Sequence, residues 1–260
     1  MATLVAFHAH PDDEAIGTGG TLAKASAEGH RVVVVFATGG ELGEPAPGGP
    51  GAGEALASVR AAEAAVSAEI LGVHRVAYLG YRDSGMAASA GNDDPACFWR
   101  ADVEEAAIRL AAIMAEERAD VLTTYDDHGV TGHLDHVQVH RVGGRAAELT
   151  GARCYEGTLD RDRVVQAVAV AMVAGDVAEL PRVDLARLGS PRSAITTTVD
   201  VRAYLGHKRR AMAAHASQVA ETSMFLALPP RAFADLWGHE CFIRRGAPPG
   251  TCESSLFDGL

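Results

Sequence analysis

Two short segments of the sequence concentrate the side chains that bind metals and move protons. The first is HAHPDDE at 8–14, which follows the apolar run 4–7, and the second is HLDH at 133–136. Adjacent carboxylates repel one another, and burying them is costly unless they are protonated, paired or bound to a cation. The two segments therefore predict a divalent metal site that is assembled from distant parts of the chain.

The spacing within these segments indicates which residues bind the ion. His10 and Asp13 are three residues apart in a predicted strand-to-helix loop, and imidazole nitrogen and carboxylate oxygen are ordinary zinc ligands. His136 completes a set of three if the strands that precede the two segments are parallel neighbours. Three protein ligands leave a fourth position open for water, which is typical of a catalytic zinc site.

The residues between the predicted ligands suit amide hydrolysis. Asp12 could take the proton of the zinc-bound water, whose pKa the metal lowers toward about 7, and then deliver that proton to the leaving amine. A protonated His133 could stabilise the oxyanion, and Asp135 could hold His133 in its charged form. Glu14 is assigned either to capping the helix that follows or to supporting the residues that bind the metal.

The segments HPDDE at 10–14 and HLDH at 133–136 resemble the two signature motifs of the PIG-L or LmbE-like family of metal-dependent deacetylases. The resemblance implies removal of an N-acyl group, usually acetyl, from an amino sugar or its conjugate. It also implies that His10, Asp13 and His136 bind zinc, with ferrous iron as the alternative in cells. By the same resemblance, Asp12 is the general base, and His133 with Asp135 stabilises the oxyanion.

The loop at 81–95 is similar to that of the mycothiol-pathway branch, which contains the deacetylase of N-acetylglucosaminyl-inositol and the mycothiol-conjugate amidase. In that branch an arginine of the second helix and an aspartate of this loop bind sugar hydroxyls, and these correspond to Arg60 and Asp83. Two positions depart from the pattern. Leu134 replaces a proline, and Thr131 replaces a mobile tyrosine that helps to polarise the substrate carbonyl, which leaves more of that task to the second motif and the metal.

Short apolar runs alternate with helix-compatible segments along the chain. This alternation favours an α/β fold, a Rossmann-like and mostly parallel sheet with helices on both faces and functional residues at the carboxyl ends of the strands. Strands are predicted at 4–7, 31–38, 75–79, 121–125 and 195–199, and helices at 14–28, 54–71, 102–117, 135–149, 161–174 and 205–218.

The segments between these elements suggest a single domain over residues 1–260. Glycine and proline predict loops at 45–53 and 80–98, and a loose tail is predicted from about residue 247. No repeat is apparent, and no linker is strong enough to divide the chain into domains.

The composition excludes several functional classes. The net charge of -11 argues against nucleic acid or an anionic membrane surface as the main partner and favours a small neutral or cationic substrate. The sequence has neither a signal-peptide pattern nor a run of about 20 apolar residues, so we expect a cytoplasmic protein. Its four cysteines form no Cys-x-x-Cys pair, and they predict neither a thiolate zinc site nor disulfides. A homo-oligomer is left open.

Three other functions were compared with the metal-dependent hydrolysis of an amide. The glycines at 17–20 and 39–40 lack the spacing and the strand-to-helix turn of a dinucleotide site. A phosphoester hydrolase could use the same water, but neither motif supplies the Arg or Lys that a phosphate pocket gathers. A catalytically silent sugar-binding protein would not need Asp12 or His133. We therefore predict a zinc-dependent N-deacetylase, with an amidase of mycothiol-type conjugates as the nearest alternative.

Overall fold

A computed structural model describes residues 1–45, 53–174, 188–220 and 226–260, so most of the predicted loop at 45–53 lies outside the described residues. The strands are β1 (Thr3–His8), β2 (Arg31–Thr38), β3 (Arg75–Tyr81), β4 (Val121–Tyr125), β5 (Arg153–Thr158), β6 (Thr197–Asp200) and β7 (His239–Arg244). The α-helices are α1 (Gly19–Ala27), α2 (Glu54–Leu71), α3 (Val103–Glu117), α4 (Gly129–Gly132), α5 (Leu134–Thr150), α6 (Arg161–Ala174), α7 (Leu205–Ala214) and α8 (Pro230–Trp237).

The seven strands form one sheet in the order β3-β2-β1-β4-β5-β7-β6. The first five strands pair in parallel, whereas β7 is antiparallel to both β5 and β6. Every residue of β1 and β4 is buried, as expected for parallel strands that are covered on both faces. The predicted α/β fold with a mostly parallel sheet is therefore confirmed.

The two motif segments emerge side by side because β1 and β4 are parallel neighbours, with Leu4 opposite Val121 and Ala6 opposite Thr123. The strand order reverses at β1, since β2 lies on one side of it and β4 on the other. Ligands of doubly wound sheets bind in the crevice at such a switch point, at the carboxyl ends of the strands. The topology thus brings residues 8–14 and 126–136 to one edge of the sheet.

Alternate residues of β1 face two different hydrophobic cores. Leu4 and Ala6 pack in a core that includes residues of α1, α2, α7 and α8. Val5 and Phe7 pack in a second core with residues of α3 and α5. Burying a side chain such as Phe7 contributes about 1.5–3 kcal/mol, so both cores stabilise the strand that leads into the first motif. Helices on both faces are as predicted.

The helix predicted at 14–28 is interrupted in the structure. A π-helical segment, Glu14–Thr18, precedes α1, which begins at Gly19. Gly20 packs against another element here, because a Cβ atom at this position would lie 2.5 Å from the Cβ of Val201. Close packing therefore explains a glycine that had been considered as part of a nucleotide-binding motif.

The C-terminal third of the chain differs most from the prediction. Strands β5 and β7 and helix α8 were not predicted, and α7 ends at Ala214 rather than at 218. The tail from about residue 247 contains neither helix nor strand, but it is not loose, since Glu253 N donates to Thr196 O at 2.8 Å and Leu256 is buried. None of the helices in the described ranges has the length and apolar character needed to cross a membrane.

Candidate active site

The first motif leaves β1 through a tight turn with an unusual backbone conformation. Asp13 N donates to His10 O at 3.3 Å, so Pro11 and Asp12 occupy the centre of the turn, and Asp12 has a φ of 119°. Turns with positive φ at this position normally carry Gly or Asn there. A side chain in such a conformation costs about 1–3 kcal/mol, and strain of this kind clusters at functional sites. The turn thus indicates a requirement for the Asp12 carboxyl group.

The three predicted metal ligands are brought together by the structure. Asp13 Oδ2 lies 3.4 Å from His10 Nδ1 and 3.4 Å from His136 Nε2. In a tetrahedral zinc site with bonds of about 2.0–2.1 Å, neighbouring ligand atoms are about 3.3–3.4 Å apart. The spacing of Asp13 from each imidazole therefore fits a small divalent ion, and the donor set of nitrogen and carboxylate oxygen fits zinc.

A third imidazole borders the same space. Nitrogen atoms of His10, His133 and His136 all lie within 4.8 Å of one another. The ring of His136 is oriented by its Nδ1, which donates to Gly129 O at 3.3 Å and leaves Nε2 to face Asp13. Such contacts of the far nitrogen fix the orientation of metal-binding histidines. The structure thus adds His133 to the imidazoles that lie close to the predicted ligands.

The charges of the site favour a cation between these groups. Burial alone would lower the pKa of His10, but hydrogen bonds with Asp13 and two further carboxylates hold it well above its usual value. Burial would likewise raise the pKa of Asp13, but the facing imidazoles of His136 and His10 hold it well below its usual value. The carboxylates therefore stabilise positive charge at the point where the predicted ligands converge.

The carboxyl group of Asp12, the predicted general base, lies against a buried arginine. This group is partly buried, and its Oδ1 lies 3.2 Å from Arg60 Nη2. Burial raises the pKa of Asp12 to about 7, against the opposing effect of the Arg60 guanidinium. A carboxyl group that titrates near neutral pH can both accept and release a proton under working conditions.

The relation between His133 and Asp135 differs from the expected one. Asp135 N donates to His133 Nδ1 at 3.2 Å, which leaves Nε2 to carry the ring proton. Burial and the neighbouring imidazoles lower the pKa of His133 to about 4, so the ring is neutral at pH 7. Meanwhile the Asp135 carboxylate accepts from Ser84 N at 3.0 Å and lies 3.2 Å from His10 Nε2. The Asp135 carboxylate thus contacts His10, and the predicted role of the His133–Asp135 pair at the oxyanion stays a prediction.

Arg60 lies in the site but is directed at the protein itself. Its Nη1 donates to Gly40 O at 2.8 Å, and its Nη2 donates to Pro11 O and faces Asp12. The residue is only 3% exposed. The binding of sugar hydroxyls by Arg60 stays a prediction. In the structure its guanidinium contacts Pro11 O and the Asp12 carboxyl group, which stabilises the first motif.

Asp83 has a similar place on the other side of His10. It is 4% exposed, and its carboxylate accepts from Leu42 N at 3.1 Å and from Gly85 N at 2.7 Å. Its Oδ1 also lies 3.4 Å from His10 Nε2. The sugar-binding role of Asp83 likewise stays a prediction, because these contacts hold the 83–85 loop against His10.

Tyr125, the last residue of β4, also borders the site, although it was not among the predicted residues. Its ring stacks on His136 with centroids 4.5 Å apart, and its hydroxyl lies 2.9 Å from His8 Nδ1. The available signal was its position at the end of the strand that leads toward the second motif. Thr131, at the position of the family tyrosine, is exposed and follows Val130, whose φ of 62° is strained for a β-branched residue.

The chain is similar in sequence to known deacetylases. The profile of the PIG-L family, described as GlcNAc-PI de-N-acetylase, matches residues 5–147. A 1D-myo-inositol 2-acetamido-2-deoxy-alpha-D-glucopyranoside deacetylase of Thermomonospora curvata is 39% identical over 282 residues, which cover 97% of this chain and 95% of the relative. The corresponding deacetylase of Acidothermus cellulolyticus is 38% identical and aligns over 100% of this chain and 96% of its own length.

Solved structures extend the likeness of the fold beyond deacetylases. The N,N'-diacetylchitobiose deacetylase of Pyrococcus horikoshii superposes with a TM-score of 0.58 at 22% identity, over 95% of this chain and 84% of that one. The 4-carboxy-2-hydroxymuconate hydratase of Pseudomonas putida also gives a TM-score of 0.58, at 17% identity over 95% and 98% of the two chains. These two likenesses concern the fold alone. On the match of the family profile and of the two relatives, the chain belongs to the PIG-L family of de-N-acetylases.

Proposed function

We propose that the protein hydrolyses the N-acetyl group of an acetylated amino sugar, with an N-acetylglucosaminyl-inositol as the preferred substrate. The observation that carries the proposal is that Asp13 lies at ligand spacing from both His10 and His136. The adjacent residue, Asp12, supplies a further carboxyl group, which lies 3.2 Å from Arg60. Relatives named as deacetylases of 2-acetamido-2-deoxy-glucopyranosyl-inositol are 36% and 39% identical over nearly the whole chain, which supports this choice of substrate.

We assign a divalent metal to His10, Asp13 and His136, with zinc as the expected ion and ferrous iron as the alternative. When bound, the ion would lower the pKa of the attacking water and polarise the acyl carbonyl. The two rings are held ready for such an ion, since the Asp135 carboxylate contacts the far nitrogen of His10 and Gly129 O that of His136.

The proton transfers are assigned to Asp12. Its carboxylate accepts a proton from the attacking water as the oxygen-carbon bond forms, and it returns that proton to the nitrogen as the carbon-nitrogen bond breaks. The products are acetate and a free amine. A pKa of about 7 suits both halves of this cycle, and the Arg60 guanidinium, 3.2 Å away, keeps the carboxyl group in place.

His133 is assigned to the oxyanion. Its Nδ1 accepts from Asp135 N, so the neutral ring carries its proton on Nε2, and the ring lies beside those of His10 and His136. A fixed donor aimed at developing negative charge commonly contributes about 10² to 10³ in rate. In this proposal Asp135 acts on His10, and it holds His133 only through its backbone N–H.

We further propose that residues 1–260 work as one domain in the cytoplasm on a small-molecule substrate. The net charge of -11 disfavours nucleic acid and anionic membrane surfaces as partners. Arg60 and Asp83 are retained as candidate contacts for sugar hydroxyls, which would require their present contacts with the protein to open on binding.

The test is acetate release from zinc-loaded protein. N-acetylglucosaminyl-inositol, free N-acetylglucosamine and a mycothiol conjugate are supplied separately, and acetate, new primary amine and phosphate are measured together. We expect equal amounts of acetate and amine, with the highest kcat/KM for the inositol conjugate. Cleavage of the mycothiol conjugate at its amide without acetate would favour the amidase, and absence of all products would refute the proposed activity.

A further inference from the structure

Behind Asp12, side chains from three parts of the chain meet at one buried carboxylate. Glu14 Oε1 accepts from Ser67 Oγ at 2.5 Å and from His215 Nε2 at 2.7 Å. Its other oxygen, Oε2, accepts from Asp12 N at 2.9 Å. Glu14, Ser67 and His215 are all buried, and together they are called the Glu14 cluster.

Helix capping alone does not account for the Glu14 cluster. A cap requires one acceptor near the start of the helix, and an exposed carboxylate can supply it. Burying a carboxylate is costly unless its oxygens are paired. Here the pairing groups come from α2 and from the end of α7, at sequence separations of 53 and 201 residues. The fold therefore assembles a long-range polar network around a carboxylate whose remaining oxygen binds a single backbone N–H.

That N–H belongs to the strained residue of the first motif. Asp12 has a φ of 119°, and Glu14 Oε2 supplies the acceptor for its N–H in this conformation. On the other side, Arg60 Nη2 lies 3.2 Å from the Asp12 carboxyl group. The backbone of the residue is thus held by Glu14 and its side chain by Arg60.

We propose that Glu14 is a positioning residue for the general base: its carboxylate, held by Ser67 and His215, keeps the Asp12 peptide in the conformation that directs the Asp12 carboxyl group at the reacting water. The inference rests on the proposed function for the role of Asp12. It assigns to Glu14 a task distinct from metal binding, which predicts that its loss affects kcat while KM and metal content remain.

The experiment compares Glu14→Ala, Glu14→Gln and Ser67→Ala with a matched control, Ser26→Ala. Ser26, like Ser67, is a helical serine whose hydroxyl donates a hydrogen bond, but its acceptor is the backbone carbonyl of Gly72, at 2.8 Å, and not a residue of the Glu14 cluster. For each protein we measure kcat and KM for acetate release, zinc content, thermal stability and a crystal structure. A displacement of about 1 Å at a reacting group can cost about 10² in rate.

On that basis Glu14→Ala is expected to lower kcat about 100-fold, with KM and zinc content within about twofold of wild type. Glu14→Gln keeps an oxygen for the Asp12 N–H and should recover about tenfold of the loss, because the conservative variant restores the acceptor. Ser67→Ala should show a smaller loss of kcat, and Ser26→Ala should match wild type. In the crystal structure of Glu14→Ala, Asp12 should relax to a negative φ.

Several results would overturn the inference. These are wild-type kcat in Glu14→Ala, a loss of zinc that accounts for the loss of kcat, or an Asp12 φ still near 119° in the variant structure. If wild type itself releases no acetate, the proposed function fails, and the backbone of Asp12 in the variant structure still decides the positioning role. If Glu14→Ala does not fold, kcat and the structure of Ser67→Ala against Ser26→Ala decide it.

Discussion

Replacing Lys208 by methionine is expected to lower the free energy of unfolding by about 4 kcal/mol, because it breaks a fully buried ion pair. Lys208 is 0% exposed and Glu240 5%, and Lys208 Nζ lies 2.5 Å from Glu240 Oε1. Lys208 also donates to Ile16 O at 2.7 Å, while Glu240 accepts from Gly20 N at 2.8 Å and Thr21 N at 2.7 Å. The pair therefore ties α7 and β7 to the point where the π-helical segment ends and α1 begins.

The magnitude follows from what each group loses. Removing one partner of a buried ion pair costs about 3–5 kcal/mol, and Glu240 keeps two backbone N–H donors, which places the loss at the lower end, about 3 kcal/mol. Ile16 O loses its donor, which adds about 1 kcal/mol. Methionine keeps most of the apolar stem, so little packing is lost. In Lys208→Met/Glu240→Gln neither charge is left unpaired, so the loss should be smaller than the sum of the single losses.

Urea denaturation at pH 7 measures the free energy of unfolding. If the slope of this free energy against urea concentration is the same in wild type and variant, their denatured states are comparable. The matched control is Lys24→Met, because the ion pair of Lys24 with Glu28 is long, at 3.7 Å, and partly exposed, with side chains 25% and 44% exposed. The control should change stability by less than about 0.5 kcal/mol. If the free energies of unfolding of Lys208→Met and Lys24→Met differed by less than about 1 kcal/mol, the reasoning would be refuted.

The remaining predictions concern the active site and one ion-pair network. Asp12→Asn should keep its zinc but lower kcat by about 10² to 10⁴, and wild-type turnover in this variant would exclude the base role. His136→Ala should lower bound zinc as measured by metal analysis, and an unchanged stoichiometry would contradict the ligand set. Glu117 binds Arg31 and Arg75, whose hydrogen bonds hold its pKa below the ordinary value of 4.5. The stability from that carboxylate is present above pH 4.5 and is lost as the pH falls through the lower folded pKa. The difference in urea midpoint between wild type and Glu117→Gln should therefore be seen at pH 7 and vanish in strong acid, and a difference that persists there would contradict the assignment.

The first half of the fold could be predicted because its signals are local. Strand β2 contains four consecutive valines, and turn residues lie before and after the strand. The predicted bounds of β2, β4 and α2 agree with the structure. Strands β5 and β7 read RCYEGT and HECFIR, with polar residues inside and no continuous apolar run. Their conformation depends on pairing with each other, Thr158 opposite Cys241, which no local pattern expresses.

The candidate site, like the fold, has features that the sequence predicts and features that it does not. The convergence of His10, Asp13 and His136 could be predicted, because parallel neighbours place their following loops at one edge of a sheet. The pairing of His133 with Asp135 was inferred from their closeness in sequence. Residues two apart at the start of a helix do not face each other, so the Asp135 carboxylate turns instead toward His10 and the 83–85 loop.

The proposed metal site and the Asp12 base do not by themselves determine the substrate. A divalent ion and a carboxyl group with a pKa near 7 would activate water for attack on more than one kind of bond. We therefore expect the choice of substrate to depend on segments outside the two motifs, such as the 81–95 loop. In the proposed mechanism the oxyanion accepts a hydrogen bond from the His133 Nε2–H, because Asp135 N fixes the other ring nitrogen as an acceptor. If Thr131 stands where the family has a mobile tyrosine, as the sequence pattern predicts, this ring at the start of α5 provides the donor that a phenol would otherwise supply.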